Sequence, residues 1–344
     1  MMASAAEVPK GKGVAQPAQG AASGIPASYL GALIAGALGA LGGFALLLAL
    51  LNNTGNLPPP AFSNSLCVDE KLSFLRERPV YAPDLLVVGS SVAWRHVDSS
   101  VFKAQSLATQ PLNAGFCGLH ANQSAYVANW LLDREPTIRQ VVMVVDPIDF
   151  AGCWRVPDAV FNRQDADAYV YGQVSPWAYY LRYFDPRSLL RNSLTVKDQR
   201  ANLIEWDPLV FSRFGDGPLE PQGDRGLFYG KPEALDAGCF KALAGLAGRL
   251  ESEGRKLLVV STPLHPDWKS TYDPDGSFVR GFDRRLEQAL AGTDGRYWNA
   301  DREWSAPEDG FVDAIHLRWS AAQQFSLALA SQLQVDDRDK VAGN

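Results

Sequence analysis

The segment from Ala27 to Leu51 constrains this chain most, because it is almost continuously apolar. No charged residue occurs between Lys12 and Asp69. A helix of this length can cross the ~30 Å hydrocarbon core of a bilayer. The apolar core of a cleavable signal peptide is shorter, about 7–15 residues. The sequence therefore predicts a transmembrane anchor rather than a cleaved signal.

The charges on either side of the apolar segment predict its orientation. Lys10 and Lys12 precede it, whereas Asp69 and Glu70 follow it. The excess of basic residues marks the cytoplasmic side of a membrane helix. We therefore expect a single-pass protein of the inner (cytoplasmic) membrane, with a cytoplasmic N-terminus and with its remaining chain in the periplasm or outside the cell.

Small residues recur along the predicted anchor. Gly31, Ala35, Gly39 and Gly43 are spaced four apart, which lines one helix face with residues that let a second helix approach closely. Glycine and alanine are also common in membrane helices that have no partner. The face is therefore a candidate contact for another membrane protein.

Composition divides the chain into segments. Residues 1–26 are rich in Ala, Gly, Pro and Ser without hydrophobic periodicity, which predicts a disordered cytoplasmic tail. After the anchor (27–51), residues 52–66 contain three consecutive prolines and predict a semi-rigid linker. We expect one folded domain over 67–335 and a short tail over 336–344.

Within the folded part, short apolar runs alternate with helical patterns. The apolar runs predict strands at 84–89, 111–114, 140–146, 256–261 and 296–299. Helical periodicity occurs at 121–134, 236–253, 280–292 and 320–334. Continuous apolar strands require a parallel sheet covered on both faces. The alternation predicts an α/β fold with a doubly wound, flavodoxin-like sheet.

The span 153–235 does not follow this alternation. It is rich in aromatic residues, Asp and Pro, and it predicts a long insertion that caps or flanks the sheet. Four cysteines, Cys67, Cys117, Cys153 and Cys239, could pair in three ways. Their spacing is not that of a metal site, and no cofactor or metal is expected. The net charge of -6 gives no indication of nucleic-acid binding.

In such a sheet, catalytic and ligand-binding residues lie beyond the carboxyl ends of the strands. The first strand ends in Gly89, and Ser91 follows in the turn, near the start of a helix. A serine there could be a nucleophile or a helix N-cap. Near the C-terminus, Asp313 precedes His316 by three residues, which lets the carboxylate orient the imidazole. We predict a Ser91, His316 and Asp313 triad.

Two further loops follow the second and third strands. Gly115 and Gly118 could each bring a backbone N–H close to a ligand, which makes them candidate oxyanion-hole donors. Asp149 closes the segment Asp146-Pro147-Ile148-Asp149. It either lines the cleft or caps the following segment.

These blocks in this order resemble the SGNH (GDSL-like) hydrolase superfamily over residues 80–335. Ser91 matches its nucleophile, Gly115 or Gly118 its oxyanion-hole glycine, and Asp313 and His316 its last block. Two positions depart from the family pattern. Ser90 replaces an Asp, as in the membrane-tethered acyl-transfer branch, and Ile148 stands where an asparagine completes the oxyanion hole.

The resemblance implies a function. Proteins of the membrane-tethered branch work beside membrane-bound O-acyltransferases, and the small-residue helix face is the candidate contact. The resemblance implies an O-acyltransferase that places acyl groups, acetyl first among them, on a cell-envelope or exopolysaccharide through a Ser91 acyl-enzyme. Two alternatives stay open: an esterase that deacylates a glycan or lipid, and a silent scaffold that binds glycan.

Overall fold

The computed structural model describes residues 26–63, 65–232, 234–307 and 309–342, and for residues 335–342 it describes the backbone alone. The predicted tail over 1–26 lies outside the described residues except for its last position. The chain divides after Leu50 into two compact units, which among the described residues begin at residue 26 and at Leu51.

An N-terminal helix, α1, runs from Ala27 to Thr54. Its 28 residues span about 42 Å at 1.5 Å per residue. Among the described residues it is the one helix long and apolar enough to cross a membrane, by length and composition. It ends three residues beyond the predicted limit at Leu51, because Asn52, Asn53 and Thr54 continue its backbone hydrogen bonding as a polar last turn.

A parallel five-stranded sheet forms the centre of the folded unit. Its order is β2-β1-β3-β4-β5, which is the flavodoxin-like order predicted from the sequence. Every neighbouring pair is parallel. The strands are β1 Leu85–Gly89, β2 Pro111–Asn113, β3 Gln140–Val145, β4 Lys256–Ser261 and β5 Arg296–Asn299.

The helices cover both faces of the sheet. In chain order after α1 they are α2 Leu66–Glu77, α3 Ser91–His96, α4 Ser99–Ala104, α5 Ala121–Arg134, α6 Arg163–Val170, α7 Pro176–Arg182, α8 Pro186–Ser193, α9 Val196–Arg200, α10 Ala237–Ser252, α11 Pro266–Tyr272, α12 Ser277–Leu290, α13 Ala300–Glu303 and α14 Trp319–Ala342. The last helix continues through most of the segment predicted as a tail.

Alternation along each strand divides the core in two. On β1, Leu86 and Val88 join the cluster formed with α2, α5, α10 and α12. Leu85 and Val87 join the cluster formed with α3, α4, α13 and α14. Both faces of the strand are therefore buried, which is why its sequence is apolar throughout rather than alternating.

The crossover from β3 to β4 contains the predicted insertion. Residues 153–235 carry α6, α7, α8 and α9, and α10 then completes the crossover. A disulfide between Cys153 and Cys239 joins the two ends of this segment. A second disulfide, Cys67–Cys117, joins α2 to the loop after β2. Of the three possible pairings, the structure shows this one.

The turn after β1 requires glycine. Gly89 has φ +142°, and a Cβ atom there would lie 2.2 Å from the Val144 carbonyl oxygen and 2.8 Å from the Ala93 Cβ. The chain can therefore pass close to β3 and turn directly into α3. Ser90 becomes the N-cap and Ser91 the first residue of the helix.

Loss of the Cys67–Cys117 disulfide should destabilise the folded unit. The bond closes a separation of 50 residues, so replacing both cysteines by serine should lower the free energy of unfolding by ~2–4 kcal/mol. Urea unfolding of the full chain in detergent measures this, with the Cys153→Ser/Cys239→Ser variant compared under the same conditions. An unchanged unfolding midpoint would contradict the expectation.

Candidate active site

Side chains from two distant parts of the chain, Ser91 and the pair Asp313 and His316, form one hydrogen-bonded series. Ser91 Oγ lies 2.8 Å from His316 Nε2. The other ring nitrogen, His316 Nδ1, lies 2.9 Å from Asp313 Oδ2. The structure therefore brings the three predicted triad residues together with the connectivity of a nucleophile, a base and an orienting acid.

The Asp313–His316 spacing follows from a tight turn before α14. Asp313 Oδ1 accepts hydrogen bonds from the backbone N–H groups of Ile315 (3.0 Å) and His316 (2.8 Å). The Val312 N–H donates back to the His316 carbonyl at 2.8 Å and closes the turn. Aspartate commonly stabilises such turns through its own side chain. Asp313 Oδ1 thus stabilises the turn, and both oxygens of this carboxylate lie within hydrogen-bond distance of His316 Nδ1.

Electrostatics determine the tautomer of His316. Burial alone would raise the pKa of Asp313, but the His316 ring and the backbone N–H groups hydrogen-bond its carboxylate and keep that pKa below its ordinary value. An ionised Asp313 accepts the proton of Nδ1. The Nε2 lone pair is then directed at the Ser91 hydroxyl, which donates to it.

A second histidine supports the first and was missed in the sequence. His96 is fully buried, and its Nδ1 lies 2.6 Å from Thr262 Oγ1. Its Nε2 accepts the backbone N–H of Leu317 at 2.9 Å, directly beside His316. Burial lowers the pKa of His96 well below its ordinary value, so it stays neutral and can accept. Its partners lie far away in sequence, and no local motif marks it.

The two candidate glycines have different roles. Gly118 is exposed at the cleft with φ +70°, and open space surrounds the position a Cβ would occupy. The Gly115 N–H instead donates to Asn113 Oδ1 at 2.9 Å. Contrary to the prediction for Gly115, its N–H is therefore engaged within the protein. Gly118 is the one of the two that can offer an N–H to a ligand.

The loop after β3 places carboxylates in the cleft. Asp146 Oδ1 accepts the N–H groups of Ile148 (2.5 Å) and Asp149 (3.3 Å). Asp146 Oδ2 is buried and has no hydrogen-bond partner among the described residues. Asp149 also lines the cleft, and it accepts the Asp146 N–H at 3.3 Å. Asp149 therefore lines the cleft, whereas its hydrogen bond to the Asp146 N–H runs back along the chain and does not cap the following segment.

The triad opens into a cleft of about 510 Å³. One wall comes from the loops at the carboxyl ends of the strands, and the other comes from the insertion through Trp206, Arg225 and Tyr229. The Tyr229 ring centroid lies 5.3 Å from that of His316. The Arg225 guanidinium lies 5.7 Å from the Trp206 ring centroid. The insertion thus supplies aromatic and cationic surface to the site.

Among the described residues, one group of side chains lies close enough together to hold a metal ion: Cys153, Asp236 and Cys239. The two sulfurs of this group form a disulfide, so neither is a free thiolate that could bind an ion.

Comparisons with known proteins give matches among solved structures. No family model matches the chain, and no curated protein matches it. Among solved structures, the fold is similar to an inhibitor-bound aryl esterase of M. smegmatis, with 14% sequence identity and a TM-score of 0.36. The match covers 74% of this chain and 99% of the esterase chain.

Replacing Asp146 by asparagine should stabilise the protein at neutral pH. Burial raises the pKa of Asp146 from 3.8 to about 6. The folded state thus favours the neutral acid and loses stability as pH rises from about 4 through about 6. An uncharged amide removes this loss, which amounts to at most about 3 kcal/mol above pH 7.

Thermal or urea unfolding of Asp146→Asn at about pH 7.5 and about pH 4 measures this effect. The gain should appear at the higher pH and shrink at the lower one. Asp294 is exposed, and Asp294→Asn provides the matched control. Its effect on the free energy of unfolding should be the same at both pH values. A gain of equal size at both pH values would show that ionisation of Asp146 is not the cause.

Proposed function

We propose that this protein is a membrane-anchored serine enzyme that transfers an acyl group, acetyl in the first instance, to a hydroxyl of a cell-envelope or exopolysaccharide. One observation supports this above all others: the Ser91–His316–Asp313 hydrogen-bond series opens into a cleft. With α1 as a single-pass anchor and a cytoplasmic N-terminus, the domain works outside the cytoplasm.

In the first half of the reaction, Ser91 is acylated. His316 Nε2 takes the hydroxyl proton while Ser91 Oγ bonds to the acyl carbon of the donor. The tetrahedral intermediate collapses, the bond to the leaving group breaks, and His316 returns the proton to that group. Asp313 stays ionised throughout and stabilises the imidazolium.

The negative oxygen of the intermediate needs donors. As first residue of α3, Ser91 keeps its N–H outside the intrahelical hydrogen bonds, and Gly118 offers a second N–H across the cleft. Ile148 occupies the place of the family asparagine and brings no side-chain donor. The proposal therefore uses two backbone donors.

In the second half, an acceptor hydroxyl gives its proton to His316 and attacks the acyl carbon. The bond to Ser91 Oγ then breaks, and His316 returns the proton to that oxygen. Trp206 and Tyr229 offer aromatic faces for the C–H surface of a sugar ring. Arg225 lines the same cleft, is partly exposed and can donate hydrogen bonds to sugar hydroxyls. These features favour a glycan acceptor.

The acyl donor would come from a membrane-bound O-acyltransferase. Its proposed contact is the face of α1 that carries Gly31, Ala35, Gly39 and Gly43. At the three glycines of this face, apart from adjacent residues and the helix's own backbone, no atom of the described residues lies within 4 Å of the position that a Cβ would occupy. A second helix could therefore approach them.

An esterase that removes acyl groups from glycan or lipid is the second candidate. Ser91 is partly exposed and Gly118 is exposed, so water can reach an acyl-enzyme in this cleft. The same triad would then use water in place of a sugar hydroxyl.

Ser91→Ala should abolish reaction with a fluorophosphonate probe and lower turnover by about 10⁴-fold or more, because the nucleophile is gone. Asp313→Asn should lower turnover by about 10³–10⁴-fold through the wrong His316 tautomer. Ser270→Ala, which removes an exposed hydroxyl on α11, serves as control. Absence of labelling in the unaltered protein between about pH 6 and 9 would favour the silent scaffold.

Partitioning of the acyl-enzyme distinguishes transfer from hydrolysis. With a chromogenic acetyl ester and an oligosaccharide acceptor, we expect acetylated sugar to exceed free acetate. Trp206→Ala should lower transfer about tenfold, equivalent to ~1.4 kcal/mol, and leave hydrolysis unchanged. Trp154→Ala is the matched control, because that side chain is 76% exposed and lies outside the cleft. Faster acetate release than transfer would support the esterase.

A further inference from the structure

Two consecutive helices of the insertion expose apolar side chains. On α7 and just after it, Trp177, Leu181 and Phe184 follow one another at helical spacing and are 44%, 55% and 56% exposed. On α8 and just after it, Leu190 and Leu194 are 66% and 73% exposed. A helix on the surface of a soluble domain directs its polar side outward. Here leucine and aromatic side chains point outward instead.

Basic side chains accompany these apolar ones. Arg187 and Arg191 are exposed on α8, and with Leu190 and Leu194 they follow one helical stripe at spacings of three and four. The segment 176–203 carries five Lys or Arg residues against two Asp residues. Leucine and tryptophan mixed with arginine characterise helices that lie in a membrane interface.

Contacts place these helices beside the linker that follows α1. Tyr180 Oη donates to the Pro58 carbonyl at 2.6 Å. The Arg200 guanidinium, at the end of α9, donates to the Leu57 carbonyl at 3.1 Å and pairs with Glu70. Leu57 follows the end of α1 by three residues, a chain length of at most about 11 Å. An anchor in the membrane therefore keeps Leu57 close to the bilayer surface.

We propose that the surface formed by Trp177, Leu181, Phe184, Arg187, Leu190, Arg191 and Leu194, the α7–α8 face, docks in the plane of an anionic bilayer. The leucine and aromatic side chains enter the boundary between headgroups and acyl chains, and the two arginines bind lipid phosphates. This inference rests on the proposed anchoring by α1.

A lipid surface fits this face better than a protein partner does. The hydrogen bond from Tyr180 of α7 to Pro58 keeps this face near the end of the anchor, where lipid is always present. A protein that covered Leu190 and Leu194 would also have to provide acidic partners for Arg187 and Arg191 in the same stripe. At a bilayer the arginines reach phosphates while the leucines reach hydrocarbon. Anchor and face together would restrict rotation of the catalytic unit about its linker.

Depth-dependent quenching tests the proposal with the full chain. A thiol-reactive fluorophore is placed on Leu190→Cys or Leu194→Cys, since all four native cysteines are paired in disulfides. The protein is reconstituted into phosphatidylcholine vesicles with a minor fraction of phosphatidylglycerol, without other proteins. A nitroxide lipid with its spin label near the headgroups is the quencher.

We expect both labels to lose most of their fluorescence, and to recover it when Arg187→Glu and Arg191→Glu are added or when phosphatidylglycerol is omitted. Leu327→Cys on α14, 51% exposed, is the matched control and should stay bright. Leu41→Cys within α1 reports the anchor through a deep nitroxide. Quenching at Leu41 without quenching at Leu190 and Leu194 would overturn the docking face alone, whereas an unquenched Leu41 label would overturn the anchor.

Two other outcomes would also overturn the proposal. The labels could be shielded from a water-soluble quencher and yet be insensitive to nitroxide lipid. If this shielding increased with protein concentration, it would indicate that a second copy of the chain covers this face. Labels that become shielded only after a membrane-bound O-acyltransferase is added would indicate a protein partner.

Discussion

No side chain fits at Gly89, and the arrangement of the proposed site depends on that restriction. A Cβ there would overlap the carbonyl oxygen of Val144 on the neighbouring strand. Because the position is glycine, β1 can pass close to β3 and turn at once into α3, with Ser91 as its first residue. Ser91, the proposed nucleophile, is thus held by backbone geometry where it lines the cleft.

Around this turn, the protein keeps buried polar groups that reduce its stability. Asp146 and Asp149 are both buried at the cleft, and burial raises the pKa of each. His96 is buried and neutral, and it holds the backbone beside His316. A chain under selection for stability alone would replace such groups by apolar ones. Their concentration beside Ser91 is the pattern expected of a functional site.

Much of this arrangement could be predicted from the sequence. The strands were recognisable because burial on both faces leaves continuous apolar runs, as in β3 and β4. Asp313 and His316 were recognisable because one short turn contains both. The partners of His96 were not, since Thr262 and Leu317 come from elsewhere in the chain. The choice between Gly115 and Gly118 required the hydrogen bond from the Gly115 N–H to Asn113 Oδ1. That bond is local, but the Asn113 side chain is oriented by its hydrogen bond to Asp216, far away in sequence.

The Cys153–Cys239 disulfide lies at the two ends of the insertion and makes it a covalently closed lobe on an otherwise regular sheet. Length or composition could change inside the lobe during evolution while its points of attachment stay in register with β3 and α10. Trp206, Arg225 and Tyr229 belong to the lobe, whereas Ser91 begins α3 and His316 lies just before α14, both outside the lobe. In the proposed reaction, acceptor preference and bond-making chemistry therefore belong to separable parts, and an exchanged lobe could redirect one without rebuilding the other.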